Sequence, residues 1–273
     1  MKKKRLDVLL VERNLVDSRE KAKRTIMAGL VFSGQERLGK AGMKVDVDIP
    51  LRVKQDLHPY VSRGGLKLEK ALREFSISTA NRVFIDVGSS TGGFTDCVLQ
   101  NGAKLSYAID VGYNQLDWKL RNDERVIVME RTNFRYVTPD MLTNETPNLA
   151  AVDVSFISLT LILPVLKTLL SENSDIIILI KPQFEAGKEK VEKGGIVRNP
   201  KTHIEVIKSI LAFAKKENFQ FYDLTYSPIT GGEGNIEYLV HLGWKHDRSE
   251  VNIHENYIEN IVLEAHQHLV KGN

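Results

Sequence analysis

The sequence predicts an α/β protein: a mostly parallel sheet with helices on both faces, preceded by a small α+β unit. Three observations carry this. From residue 82 onward, apolar runs short enough for strands alternate with helical segments. Several of these runs stop abruptly on a glycine or a single charged residue, as buried strands do where they leave a core. Positive charge is gathered at the front, where residues 1–60 hold 14 Lys and Arg against 8 Asp and Glu, whereas the remainder hold 24 against 27. The connector "DLHPY" separates the two parts and sets the expected domains at 1–59 and 60–273.

Composition narrows the function classes. A chain of 273 residues with 42% hydrophobic and 27% charged content has an ordinary globular make-up and room for two cores. The single cysteine, Cys97, excludes an internal disulfide and a cysteine-rich zinc site, and fits a reducing, cytoplasmic compartment. "MKKKRLDVLLVERN" lacks the apolar stretch of a secretory signal. The greasiest segment, "LTLILPVL", reaches Lys167 far short of the roughly 18 residues that span a bilayer, so no membrane is expected. A basic unit on a nearly neutral body suggests docking on a polyanion, with nucleic acid first and an anionic lipid surface second.

The front elements follow in order. Leu6, Leu9, Leu10 and Arg13 have helical spacing. "DSRE" offers Asp17 as a cap with Glu20 three places on, opening a second helix that runs to about Ala28 and stops at Gly29. Ala22 and Ile26 form its apolar seam, and Arg19 and Lys23 lie along its edge, either as a solvated basic rim or as phosphate contacts. "VFSGQ" and "KVDVDIPLRVK" alternate like strands. The whole pattern, "RLDVLLVERNLVDSREKAKRTIMAGLVFSGQ", resembles the small RNA-binding domain named after ribosomal small-subunit protein S4, over most of residues 5–54. Arg5, Arg19 and Lys23, with Arg63 in "YVSRGG", are the candidate RNA contacts.

Behind the connector, Leu68, Leu72 and Phe75 share one helical face with Lys67 beside it. The strands then read as "RVFIDVG", "KLSYAIDVG", "RVIVME", "NLAAVDVSF" and "IIILIKP", with "FQFYDLTYSP" and "NIEYLVHLGW" after the last long helix. Ligands of such sheets sit at the carboxyl ends of the strands.

"FIDVGSSTGGFTDCVLQ" is a strand, a glycine turn and a helix start. A phosphate-gripping Walker loop needs Lys and Ser or Thr after the last glycine, where Phe94 and Thr95 stand. The dinucleotide pattern G-x-G-x-x-G is also missing. The turn of S-adenosylmethionine-dependent methyltransferases is the reading left, because an acid, Asp86, closes the first strand and a second acid, Asp110, closes the next, where it can accept both ribose hydroxyls. Asp86, Gly88, Ser90, Gly92, Gly93, Phe94, Asp110 and Asp153 are the candidate cofactor contacts. Asn133 in "ERTNFRY" either faces the adenine, as its neighbour Phe134 also can, or caps a loop.

Elimination narrows the methylated atom. Attack on a pyrimidine carbon commonly uses a cysteine, but Cys97 lies within the helix after the turn and reads as packing. Amine methylation usually places Asn or Asp before Pro-Pro-Tyr or Pro-Phe, and "DVSFISL" stands there instead. Asp153 and Lys181 fall at neighbouring strand ends, Glu237 opens another strand, and Lys67 comes from the preceding helix. Such a set suits activation of a sugar hydroxyl: a lysine in a dry cleft near a second cation can lose its proton at roughly pH 7 to 8. Lys181 is the expected base and Lys67 its modulator or a substrate contact. Asp153 and Glu237 compensate the charge.

The stretches "YVSRGGLKLEKAL", "FIDVGSSTGGFTDCVLQNGA", "AIDVGYNQLDWKLR", "ERTNFR", "DVSFISL", "LIKPQFE", "GGIVR" and "GNIEYL" resemble, in order and over nearly the whole chain, the TlyA family, known both as haemolysin A and as FtsJ-like RNA ribose methyltransferases. The resemblance implies a Rossmann-like S-adenosylmethionine-dependent methyltransferase domain with a Lys-Asp-Lys-Glu tetrad on Lys67, Asp153, Lys181 and Glu237. It also implies 2′-O-methylation of cytidines in ribosomal RNA, with ribosomal RNA or ribosomal subunits as partners. Lys188, Lys190, Lys193 and Arg198 either grip phosphates or form a mobile solvated loop, and Trp118 and Tyr113 read as packing rather than as base-stacking platforms. The competing readings are a membrane-lytic protein, for which no apolar span or long amphipathic segment is found, and an RNA-binding protein with an inactive methyltransferase fold, against which the intact acids speak.

Overall fold

A computed structural model describes residues 3–270 apart from 17, 28, 55–57, 232, 233 and 255. The expected cap Asp17 and helix end Ala28 lie outside the described residues. The chain divides into two compact units, Met1–His58 and Pro59–Asn273.

In the front unit β1 (Lys3–Arg5) runs directly into α1 (Leu6–Glu12), and α2 (Arg19–Met27) packs on α1. Leu6, Leu9 and Leu10 meet Ala22 and Ile26 in a core closed by Val31, Leu38 and Val45. Ser18 Oγ accepts the Lys21 amide at 3.2 Å at the start of α2. Gly29 takes a left-handed conformation (φ +72) as the chain leaves α2. β2 (Val31–Ser33) pairs with β3 (Glu36–Arg37) and β5 (Arg52–Val53), while β4 (Lys44–Asp46) pairs with β1. "KVDVDIPLRVK" therefore feeds two separate sheets. β1 and β3 leave no mark in the sequence because strands of two or three residues are too short to show a period.

In the rear unit the order is α3 (Gly64–Glu74), β6 (Val83–Val87), α4 (Gly93–Gln100), β7 (Leu105–Ile109), α5 (Trp118–Arg121), β8 (Val126–Met129) and β9 (Leu149–Val152). Then come α6 (Leu163–Leu169), β10 (Ser174–Ile180), α7 (Pro182–Glu185), α8 (Pro200–Lys216), β11 (Phe219–Tyr226), β12 (Tyr238–Trp244) and α9 (Tyr257–Val270). The strands form one sheet in the order β11-β12-β10-β9-β6-β7-β8, with parallel pairing except at β12, which is antiparallel to both neighbours. This is the α/β, Rossmann-like architecture expected.

Alternate residues of the central strands serve opposite layers. Ile85, Val87, Val152, Ile176, Ile178 and Ile180 pack with Leu163 and Leu166 of α6 and with Val206, Ile207 and Ile210 of α8. On the other face Phe84, Ala151, Ile177 and Leu179 pack with Leu68, Ala71 and Leu72 of α3 and with Cys97 and Val98 of α4. Burial on both faces is why these strands read as unbroken apolar runs. Helix α9 corrects the sequence reading, which ended the fold at β12. It buries Ile258, Val262 and Ala265 against the layer formed by α8 and β11. Among the described residues no helix is long and apolar enough to cross a membrane.

Candidate active site

Strand order reverses at β6, which has β7 on one side and β9 on the other. The crevice outside their carboxyl ends is where sheets of this kind bind ligands. The turn after β6 starts at Gly88, whose φ of +87 suits glycine. A Cβ there would stand 2.5 Å from the Asp153 carbonyl oxygen, so any side chain would force the β6 turn and the β9 loop apart.

Asp86 is buried, and its Oδ2 accepts the Thr95 amide at 3.0 Å and the Thr95 hydroxyl at 2.7 Å, tying β6 to the first turn of α4. Burial pushes its carboxyl up to about 7 against the pull of these bonds. Its Oδ1 is buried without a hydrogen-bond partner among the described residues. Asp110 is half-buried, with Oδ2 accepting the Ser90 amide at 2.8 Å and Oδ1 the Gly112 amide at 2.7 Å. Gly92 and Gly93 lead into α4, and Phe94 is buried in the layer formed by α3 and α4.

Four charged side chains converge beside this turn. Lys67 reaches in from α3, whose apolar face docks it against the sheet. Asp153 follows the last residue of β9, its amide donating to Val87 O at 2.9 Å. Lys181 follows β10, and Pro182, which has no N–H to extend the ladder, stops the strand there. Glu237 precedes β12, whose pairing of Tyr238 with Ile180 sets it beside Lys181 at the same sheet end.

Lys67 Nζ lies 2.6 Å from Glu237 Oε2 and 3.4 Å from Asp153 Oδ2. Lys181 Nζ lies 2.5 Å from Asp153 Oδ1 and donates to Ser155 Oγ at 3.1 Å. The order Lys181–Asp153–Lys67–Glu237 alternates in sign. Asp153 Oδ1 and Glu237 Oε2 meet their lysines as close ion contacts without hydrogen-bond alignment, whereas the longer Lys67–Asp153 contact is aligned.

Burial opposes the charge on Lys67, but Asp153 and Glu237 outweigh it and hold its pKa above the usual lysine value. Burial likewise opposes the charge on Asp153, yet Lys67 and Lys181 hold its carboxyl below the usual range. For Glu237 burial wins over Lys67 and raises the carboxyl. Gly231 touches this carboxylate so closely that a Cβ would lie 2.2 Å from Glu237 Oε1.

The loop after Asp153 holds a residue that the sequence reading did not single out. Phe156 is 91% exposed and sits at φ +61, an outlier for a bulky side chain. Its ring centroid is 4.9 Å from that of Phe184 on α7. Together with Arg135, Ile157, Ser158 and Leu161 they line a cleft of about 510 Å³. Glu185 Oε2 accepts the Ser158 hydroxyl at 2.6 Å and Oε1 the Leu159 amide at 2.8 Å.

Other sequence candidates are placed as follows. Asn133 caps a short turn, accepting the Arg135 amide at 3.2 Å, and Phe134 is buried in the core. Cys97 is buried, and burial pushes its thiol up to about 12, away from nucleophilic use. Trp118 and Tyr113 are not packing residues: they are 74% and 65% exposed, Tyr113 under the Arg131 guanidinium at 3.9 Å, because the β7–β8 connection turns them outward. The lysine-rich loop is anchored, with Val197 buried and Asn235 bonding the Val197 amide at 3.1 Å and the Gly195 carbonyl at 2.9 Å. Within it Lys190 pairs with Glu205 and Arg198 with Glu192.

In the front unit Arg5 and Arg19 both bind the buried Asp7, Arg5 through two bonds of 2.9 and 3.0 Å and Arg19 at 3.2 Å. Lys23 pairs with Glu20 at 2.9 Å. Arg63 stands exposed just ahead of α3.

Comparison with known proteins agrees with this geometry. Residues 60–244 match the FtsJ-like methyltransferase family, and residues 4–48 match the S4 domain. A Bacillus subtilis protein, YqxC, provisionally assigned as an rRNA methyltransferase, is 61% identical over 98% of this chain and 96% of its own length. A Mycobacterium tuberculosis protein named 16S/23S rRNA (cytidine-2′-O)-methyltransferase TlyA is 40% identical over 90% of this chain and 91% of its own. The solved structure of a Streptococcus thermophilus protein, provisionally described as a hemolysin, superposes with a TM-score of 0.78 at 49% identity, covering 99% of this chain and 98% of that one. The chain belongs to the FtsJ-like methyltransferases, and among them to the TlyA family, with an S4 domain over residues 4–48.

Proposed function

We propose that this protein methylates the 2′-hydroxyl of cytidine in ribosomal RNA, in the cytoplasm, using S-adenosylmethionine. The observation that carries the proposal is the convergence of Lys67, Asp153, Lys181 and Glu237 beside the glycine turn at Gly88. The substrate rests on the M. tuberculosis relative's name, and docking on RNA rests on the basic front unit and its S4 match.

The residues present fit the cofactor. Each Asp110 oxygen is held by one backbone amide and keeps a lone pair for a ribose hydroxyl. The buried Oδ1 of Asp86, without a hydrogen-bond partner among the described residues, is an acceptor suited to an ammonium group. Gly88, Ser90, Gly92, Gly93 and Phe94 shape the turn between these acids, and the Asp153 backbone packs against Gly88. When bound, S-adenosylmethionine supplies a methyl group already activated on a sulfonium.

The protein then has to bring up a hydroxyl and remove its proton. In its neutral amine form Lys181 takes that proton on the Nζ lone pair, as a general base. Asp153, held below the usual carboxylate range, stays ionised and keeps Nζ in place. Lys67, held above the usual lysine value, stays charged and fixes Asp153 and Glu237 around it. The exposed face of Phe156 at the cleft mouth offers a surface on which a nucleobase stacks.

The test is to incubate ribosomal RNA or ribosomal subunits with methyl-labelled cofactor and map the product. Label on a cytidine 2′-oxygen is expected. Label on a base atom, or undiminished transfer by Lys181→Ala, overturns the proposal.

A further inference from the structure

We infer that Glu185 is a positioning residue for this site: with Lys181, it clamps the Asp153–Leu159 loop at both ends and holds the Phe156 ring at the mouth of the cleft. A bulky residue at positive φ persists only where its surroundings over-determine it. Here both grips come from one short stretch, since Lys181 immediately precedes α7 and Glu185 ends it. At one end of the loop Lys181 touches Asp153 and donates to Ser155 Oγ at 3.1 Å. At the other, Glu185 uses one oxygen on the Ser158 hydroxyl and the other on the Leu159 amide. Phe184 lies between the two grips, and its ring meets that of Phe156.

The carboxylate is half-buried and bonds this loop through both of its oxygens, which distinguishes it from a solvated helix-end charge. Burial raises its pKa, a desolvation that the two bonds only partly offset. Lys181 thus serves the chemistry and anchors the loop, while Glu185 acts on the reaction only through the loop. A purely structural cap of the turn that begins at Leu159 would stabilise the fold without coupling to Phe156.

The inference rests on the methyl-transfer reading for its kinetic part alone, and two measurements on the full chain separate the two. The first is hydrogen exchange over residues 155–160, which needs no activity. Glu185→Ala should speed it by about tenfold or more, while Glu185→Gln, which keeps an acceptor for the Leu159 amide and a polar partner for Ser158, should restore most of the protection. The second is a double-mutant cycle on kcat with RNA. Glu185→Ala should lower kcat by roughly 10- to 100-fold while the cofactor Kd, by calorimetry, stays unchanged. In a Phe156→Gly background, where the ring is gone and the positive φ is unstrained, the same change should cost less than about threefold. Unchanged exchange in Glu185→Ala overturns the clamp. Equal kcat losses in the two backgrounds overturn the positioning role. Wild-type protein that transfers no methyl group to RNA defeats the proposed function, and the exchange measurement still decides the clamp.

Discussion

Asp7 in the front unit and Asp153 in the rear unit are carboxylates in the same electrostatic setting, each between two cations. Asp7 binds Arg5 and Arg19, and Asp153 binds Lys181 and Lys67. Both carboxyls are held below the usual range. At Asp7 the Arg5 hydrogen bonds do most of this, with Arg19 helping against burial; at Asp153 the two lysines do it against burial. The cations differ in two respects. Guanidinium groups keep their charge at every pH the fold survives and bind in a fixed fork, whereas an ammonium group can give up and regain a proton. The arginine side chains are 47% and 55% exposed, but each lysine side chain is only 10% exposed. One cluster can hold a helix pair and show charge to a polyanion; the other keeps its charges away from solvent at the strand ends.

Making the rear cluster resemble the front one is the strongest way to break the contrast. Lys181→Arg keeps the positive charge beside Asp153 but removes the proposed proton acceptor. Transfer of label should fall by roughly 10²- to 10⁴-fold, as in Lys181→Ala, with cofactor affinity retained. An arginine variant with near wild-type turnover would leave Lys181 a purely electrostatic part. Gly231→Ala disturbs the same cluster from outside, because the new methyl group must displace the Glu237 carboxylate it overlaps. A tenfold loss of kcat, about 1.4 kcal/mol, with an unchanged melting temperature is the expected result of steady-state kinetics and thermal unfolding.

The front cluster should respond in stability rather than in turnover. Asp7→Ala leaves two half-exposed arginines without their shared partner, and thermal unfolding should show a loss of about 1–3 kcal/mol in the front unit. The pH dependence has a definite sign. The folded-state pKa of Asp7 is depressed, so its stabilisation is fully present above the unfolded aspartate value of about 3.9 and is lost as the pH falls below that toward the folded value. Wild type and Asp7→Ala should therefore converge in stability in acid and separate near neutrality.

The contrast also marks what the sequence could tell. The central strands were legible because burial on both faces leaves unbroken apolar runs, and the tetrad was legible because each member stands at the end of such a run or on the helix before it. Asp7 was not, since an acid in the first turn of an apolar helix looks like an ordinary dipole partner. Phe156 was missed because an exposed residue in a left-handed turn contributes to no period. Helix α9 was missed because its inward residues, Ile258, Val262 and Ala265, are few and lie among polar ones. Trp118 and Tyr113 misled because large aromatic side chains are expected inside, and only the path of the β7–β8 connection turns them outward.

The smallest expected effect tests whether the front cations serve RNA at all. Arg19 shares its charge with Asp7, and Lys23 shares its charge with Glu20, so neither is a bare cation, and each should contribute less than a full phosphate contact. Arg19→Ala with Lys23→Ala should weaken RNA binding a few-fold and lower the slope of log affinity against log salt by less than the roughly 0.7–0.9 per phosphate that a full contact gives. Arg19 also braces Asp7, so Arg19→Lys is the necessary companion, keeping the charge while losing the fork. If Arg19→Lys binds RNA as wild type does while the alanine pair does not, charge toward phosphate is the operative property. If Arg19→Lys loses binding and front-unit stability together, bracing of α1 against α2 through Asp7 is what Arg19 provides. Cofactor affinity measured on the same variants should stay constant, because Asp110, Asp86 and the Gly88 turn all belong to the other unit.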